Sequence, residues 1–128
     1  MQTRSGIDDP LTHSVIGAFY EVYNTLGFGF LERVYKKALE QELLALGHHV
    51  DRESSASVYY KGKVLEQQRI DMLVDRRLVI EAKATHDLPK IARRQLYNYL
   101  RATNLELGLL LHFGPEPCFY RIEYEKRR

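Results

Sequence analysis

The chain has 128 residues, 45% hydrophobic and 28% charged, enough for one packed core and too few for two, so a single domain over Met1–Arg128 is expected. A formal net charge of +2 excludes a strongly basic nucleic-acid binder, and any attraction to phosphate must come from locally clustered cations. One cysteine, Cys118, excludes an internal disulfide and a cysteine-rich zinc site; with no apolar membrane-length run and no apolar core in the opening MQTRSGIDDP, a soluble cytoplasmic protein with no membrane partner is expected.

Leu11, Val15, Phe19, Val22, Tyr23 and Leu26 recur at helical spacing and predict a first helix capped by Gly27. The Phe-Gly-Phe segment after it turns the chain into a second helix over about Leu31–Leu46. Its apolar stripe is Leu31, Tyr35, Leu39, Leu43 and Leu46, and Gly47 ends it. From Ser57 the apolar period drops to two, which predicts strands near Ser57–Tyr60, Val64–Val74 and Leu78–Ala84, with a turn at Lys61-Gly62. A third helix follows over about Leu88–Thr103, with Asp87 near its start and Pro89 in its first turn. LELGLLLHF reads as a buried central strand, Gly114–Pro117 as a turn, and CFYRIEY as a last strand with Cys118 in the core. The order ααβββαββ describes an α/β fold, a mixed β-sheet flanked by helices.

The alternation within the second and third strands carries chemistry. Ile70, Met72 and Val74 share one face, and so do Leu78, Ile80 and Ala82. Matching these sets across an antiparallel pair sets 74 opposite 78, 72 opposite 80 and 70 opposite 82. That register places Asp71 opposite Glu81, with Lys83 further along the same face, and requires a three-residue connection, Asp75–Arg77, or a bulge. Two adjacent carboxylates repel unless a cation lies between them. They suit a hard divalent ion beside a phosphodiester, with the lysine polarising water or stabilising charge on phosphate. The plainer alternative is a structural ion pair made by Lys83.

The helices offer supporting groups. Gln95 and Tyr99 lie one turn apart within the stripe Leu88, Ile91, Ala92 and Thr103, so the glutamine is expected to face the sheet, bonded to metal-bound water, phosphate or backbone. Lys90, Arg93, Arg94 and Arg101, with Tyr97, suit a phosphate backbone running past the site, or simply form a solvated face. Glu32 lies on the apolar side of the second helix, where it reaches a metal or acts as a first-turn acid on the helix dipole. The histidines have no metal-ligand spacing; only His86, just after the third strand, approaches the rim.

Asp71, Glu81-Ala82-Lys83 and Gln95-Leu-Tyr-Asn-Tyr99 together resemble the PD-(D/E)xK nuclease superfamily, particularly RecB-like members with a QxxxY motif. Gly29-Phe-Leu-Glu32-Arg-Val-Tyr35 looks like the signature of the GxxExxY group within it. The resemblance covers about Leu11–Tyr124, and Ile70 stands where many members have the proline of the motif. It implies a restriction endonuclease-like core and Mg2+, or Mn2+ in its place, held by Asp71, Glu81 and the Ala82 carbonyl. It also implies Lys83 as the catalytic lysine, Glu32 as the helical acid, and Gln95 and Tyr99 as the third motif. The resulting expectation is a magnesium-dependent nuclease acting on DNA, with a homodimer or partner protein as the means of targeting. The alternative is a non-catalytic nucleic-acid-binding or assembly module that keeps the fold. Nothing specifies base readout, so selection by nucleic-acid shape or by a partner is expected.

Overall fold

The computed structural model describes residues 9–126, so most of the N-terminal stretch read above for targeting signals lies outside them. The elements are α1 (Pro10–Leu26), α2 (Glu32–Ala45), β1 (Val50–Asp51), β2 (Ser55–Tyr60), β3 (Lys63–Arg69), β4 (Met72–Val74), β5 (Leu78–Lys83), α3 (Ala92–Thr103), β6 (Leu107–Phe113) and β7 (Pro117–Glu123). Five strands form a mixed sheet in the order β1-β4-β5-β6-β7, and β2-β3 form a separate two-stranded ribbon. Among the described residues no helix is long and apolar enough to cross a membrane.

The sheet sorts its side chains by parity. Met72, Val74, Leu78, Ile80, Ala82, Leu109, Leu111 and Phe113 face α1 and α2, burying Val15, Phe19, Val22, Tyr35, Leu39 and Leu43 between the layers. Val79, Leu110 and Ile122 face the other way, onto Ala92, Leu96 and Leu100 of α3. A Cβ on Gly108 would meet the Leu96 side chain at 3.1 Å, so glycine there lets α3 lie close on β6. Among the described strands only β5 and β6 run parallel, with α3 as their crossover.

Several sequence expectations need correction. The long strand Val64–Val74 is broken at Ile70–Asp71. Its first part is β3 in the ribbon, wholly exposed, and its last part is β4 in the sheet. Ile70 consequently packs with the α3 side rather than with Met72 and Val74. The stripe of α2 is shorter than its leucines suggest: Leu31 and Leu46 flank the helix and are 60% and 57% exposed. Helix α3 begins at Ala92, because Pro89 lies in the preceding turn and accepts from the Ala92 N–H at 3.0 Å. Cys118 is only partly buried, and β1 carried no strand signal of its own.

The α1–α2 connection is latched by one side chain. Gly27 at φ 72° and Gly29 at φ 117° turn the chain in the left-handed region that favours glycine. Fully buried Tyr35 stacks on Phe113 at 4.4 Å, donates to the Gly27 carbonyl, and accepts from the Phe30 N–H at 3.2 Å. Tyr35→Phe keeps the ring and strands both backbone groups. Urea unfolding should therefore show a loss of about 1–3 kcal/mol, and a loss within error of zero would mean the loop holds itself.

Candidate active site

Asp71 stands where the chain leaves the ribbon and enters the sheet. The Ile70 N–H donates to the Ser54 carbonyl at 3.2 Å, and Arg52 Nε donates to the Asp71 carbonyl at 2.9 Å. Arg52 is itself steadied by Glu40 at 3.0 Å. Beyond this point β4 and β5 pair with Met72 opposite Ile80 and Val74 opposite Leu78, the expected register. The three-residue connection Asp75–Arg77 is also present, with Asp75 and Arg76 at φ 52° and 55° and the Arg77 N–H closing the turn on the Val74 carbonyl at 3.0 Å.

Backbone pairing of β4 with β5 stops at Met72, and the two carboxylates continue it. The Ala82 N–H donates to Asp71 Oδ2 at 2.8 Å, and the Asp71 N–H donates to Glu81 Oε1 at 3.3 Å. Each acid is thus held by the backbone of the other strand, in the place of the expected 70–82 pair. Glu81 is 9% exposed. Burial, and next the adjacent Asp71 charge, push its carboxyl up to about 7, against the opposing pull of Lys83 and Lys36. Lys83 is the last residue of β5 and half-buried; strand parity puts it on the same face as Glu81.

Lys36 is the residue sequence reasoning missed. Its ammonium lies 2.9 Å from Glu32 Oε2, one helical turn before it, and 2.7 Å from Asp71 Oδ1. Burial opposes that charge, but the hydrogen bonds to Asp71 and Glu32 outweigh it and raise the Lys36 pKa. Glu32 therefore reaches Asp71 through an ammonium. The i,i+4 spacing of Glu32 and Lys36 was a visible signal, since it sets both on one helix face. Arg52 gave none.

The third helix departs from expectation. Its buried stripe is Ala92, Leu96 and Leu100, so Gln95 is exposed rather than turned to the sheet, and Ile91 is exposed as well. Tyr99 is half-buried and donates to Gln68 Oε1 of β3 at 3.5 Å. Its hydroxyl pKa is raised by burial first and then by the charges of Glu81 and Asp71. The four cations divide. Lys90 precedes the helix and is exposed, Arg93 lies over the Tyr120 ring at 4.4 Å, Arg94 lies over Tyr97 at 4.9 Å, and Arg101 lines the same cleft as Gln95 and Tyr99. His86 is exposed beside Asp87. His112 is buried and donates from Nε2 to the Thr85 carbonyl at 2.7 Å, tying β6 to the loop that follows Lys83.

Among the described residues no three His, Cys, Asp or Glu side chains converge into an all-side-chain cation cage. The groups that could hold a cation are the two carboxylates of Asp71 and Glu81 and the backbone carbonyl of Ala82, the residue directly after Glu81. That set fits a hard divalent cation that keeps several waters and takes one or two carboxylates. The proton that burial and Asp71 press onto Glu81 is what a divalent cation would displace.

A crystal structure titled SSO0001 is similar to this chain at a TM-score of 0.59 and 24% identity, over 92% of this chain and 59% of that one. The alkaline exonuclease LHK-Exo from Laribacter hongkongensis is similar at a TM-score of 0.53 and 10% identity, over 96% of this chain and 72% of that one. At such identities these likenesses establish a shared fold, and the chain spans about three-fifths of the length of the first. No curated protein matches it. A sequence model described as the PD-(D/E)XK nuclease superfamily matches residues 9–123, from the N-cap of α1 to the end of β7. With the match spanning every helix and strand, the chain belongs to the PD-(D/E)XK nuclease superfamily.

Proposed function

We propose that the chain is a magnesium-dependent nuclease that hydrolyses phosphodiester bonds in DNA, as a member of the GxxExxY group. The observation that carries this reading is the reciprocal clasp of Asp71 and Glu81, with Lys83 on the same strand face. PD-(D/E)XK nucleases typically use divalent ions, and Mn2+ is expected to replace Mg2+. Asp71, Glu81 and the Ala82 carbonyl are the groups to hold the ion, with Glu32 joining them once Lys36 gives way. When bound, such an ion acts as a Lewis acid on the phosphate and lowers the pKa of its water.

The remaining work falls to side chains. Lys83 supplies fixed positive charge where the attacking water and the phosphate oxygens meet, and Tyr99 limits water on the α3 side. Gln95, from the cleft wall, contacts the substrate strand. Arg101, with Lys90, Arg93 and Arg94 further out, contacts phosphates.

Lys83→Ala tests the assignment on single-stranded, duplex and branched DNA with Mg2+. Cleavage should fall by at least about a hundredfold, with the melting temperature nearly unchanged because Lys83 ends its strand. Full activity in the variant would remove the lysine from the mechanism. The Glu32–Lys36–Asp71 bridge supports a second reading, a binding module whose acids are already neutralised. Calorimetric Mg2+ or Mn2+ binding without cleavage of any of these substrates would favour that module.

A further inference from the structure

The β2–β3 ribbon is an arm. Its β3 strand is exposed along its whole length, and only its base is packed, through Ala56 beside Ile70 and α3. A two-stranded ribbon is marginal alone in water; here α3 supports its base and leaves the outer part open beside the helix. Between the ribbon and α3 lies a cleft of about 780 Å³.

We propose that this cleft binds the unstacked bases of a single-stranded nucleic-acid segment and delivers that strand to the Asp71–Glu81 site. The inference rests on the nuclease reading for its partner and extends it to the form of the substrate. The cleft wall combines the rings of Tyr59 and Tyr99 with the amides of Gln68, Gln95 and Asn98, and Arg101 is its cation. Aromatic faces accept any base by stacking, and amides, donor and acceptor at once, match base edges. A groove built for a duplex backbone would instead be dominated by cations.

Bases inside a duplex have both faces stacked and their pairing edges engaged, so only an opened strand fits these groups. The ribbon register shifts between Val58 and Tyr59, so that these consecutive residues both line the cleft, and Tyr59 is 63% exposed within it. The cleft wall adjoins the acids along the chain. Gln68 of the wall precedes Asp71 by three residues, and the Tyr99 hydroxyl that meets Gln68 at 3.5 Å also senses the charges of Glu81 and Asp71.

The test is fluorescence anisotropy in EDTA, where no cleavage occurs, using labelled oligothymidylate and a blunt duplex of equal length with the full chain. Wild type should bind the single strand at least about tenfold more tightly. Tyr59→Ala should lose about tenfold on the single strand and leave duplex binding unchanged, while Tyr59→Phe keeps wild-type affinity. The exposure of Tyr59 leaves folding intact, which circular dichroism checks. Tighter duplex binding, or an alanine variant that loses nothing or loses equally on both probes, overturns the proposal. So does sedimentation in which Tyr59→Ala converts a dimer to a monomer, since the ribbon would then be covered by a second copy. Single-strand binding without Mg2+ cleavage would sink the nuclease reading alone; cleavage with binding indifferent to Tyr59 would sink this inference alone.

Discussion

Glu81→Gln should abolish Mg2+-dependent cleavage, by at least about a thousandfold, and at the same time make the protein harder to unfold above neutral pH in EDTA. The two effects share one cause. Glu81 is pushed from its ordinary 4.5 up to about 7 by burial and by the neighbouring Asp71 charge. A carboxyl with a raised folded-state pKa holds its proton more tightly in the native than in the unfolded chain. Stability from this group is therefore fully present below 4.5 and is lost as pH rises through about 7. At pH 8 the difference is on the order of 3 kcal/mol, the equivalent of the full shift. Glutamine keeps the shape, carries no charge, and removes that loss. In EDTA the melting temperature of wild type should fall between pH 5 and pH 8 relative to the variant. Mg2+ should restore wild type at pH 8 and do little for the glutamine protein. Parallel melting profiles for the two proteins across that range would show that Glu81 is not held near its proton, and the case for a cation at this site would weaken with it.

The clasp was legible in the sequence because burial dictates it. Once Met72 and Val74 must face the same core as Leu78 and Ile80, only one register serves, and it carries Asp71 to Glu81. Ile70 was misplaced because alternation says nothing about where a strand changes sheet; the break is made by Ser54 and Arg52, distant in sequence from any motif. Gln95 was misplaced by one position on the α3 wheel. Leu88 does pack against this core, partly buried, but Ile91 is exposed: Pro89 delays the helix start, and the narrow stripe Ala92, Leu96 and Leu100 suffices to cover β6. The GxxExxY pattern turned out to be half architecture: Gly29 and Tyr35 shape and latch the loop, and that latch sets the first turn of α2 with Glu32 at its head. Lys36 went unread because a lysine among surface-like residues of an amphipathic helix has no apolar signature, although its distance from Glu32 is the spacing of a helical ion pair.

Lys36→Met should lower stability in EDTA and tighten divalent binding. The methionine keeps the stem packed and deletes the ammonium that bridges Glu32 and Asp71. Asp71 is then left beside Glu81, with only 15% of its side chain exposed and no ammonium at 2.7 Å. Breaking a fully buried pair costs several kcal/mol, but Lys36 and its partners retain some solvent, and screening reduces the expected loss to about 1–2 kcal/mol. The sign reverses when a divalent ion is added. The ammonium and the ion compete for Asp71 Oδ1, so removing the ammonium favours the ion, and Mn2+ should bind the variant several-fold more tightly by calorimetry. Lys36→Arg, which keeps the charge, should resemble wild type in both measurements. Weaker Mn2+ binding in the methionine variant would mean that the ammonium assists the ion instead of standing in its place, and Glu32 would then belong to the lysine alone.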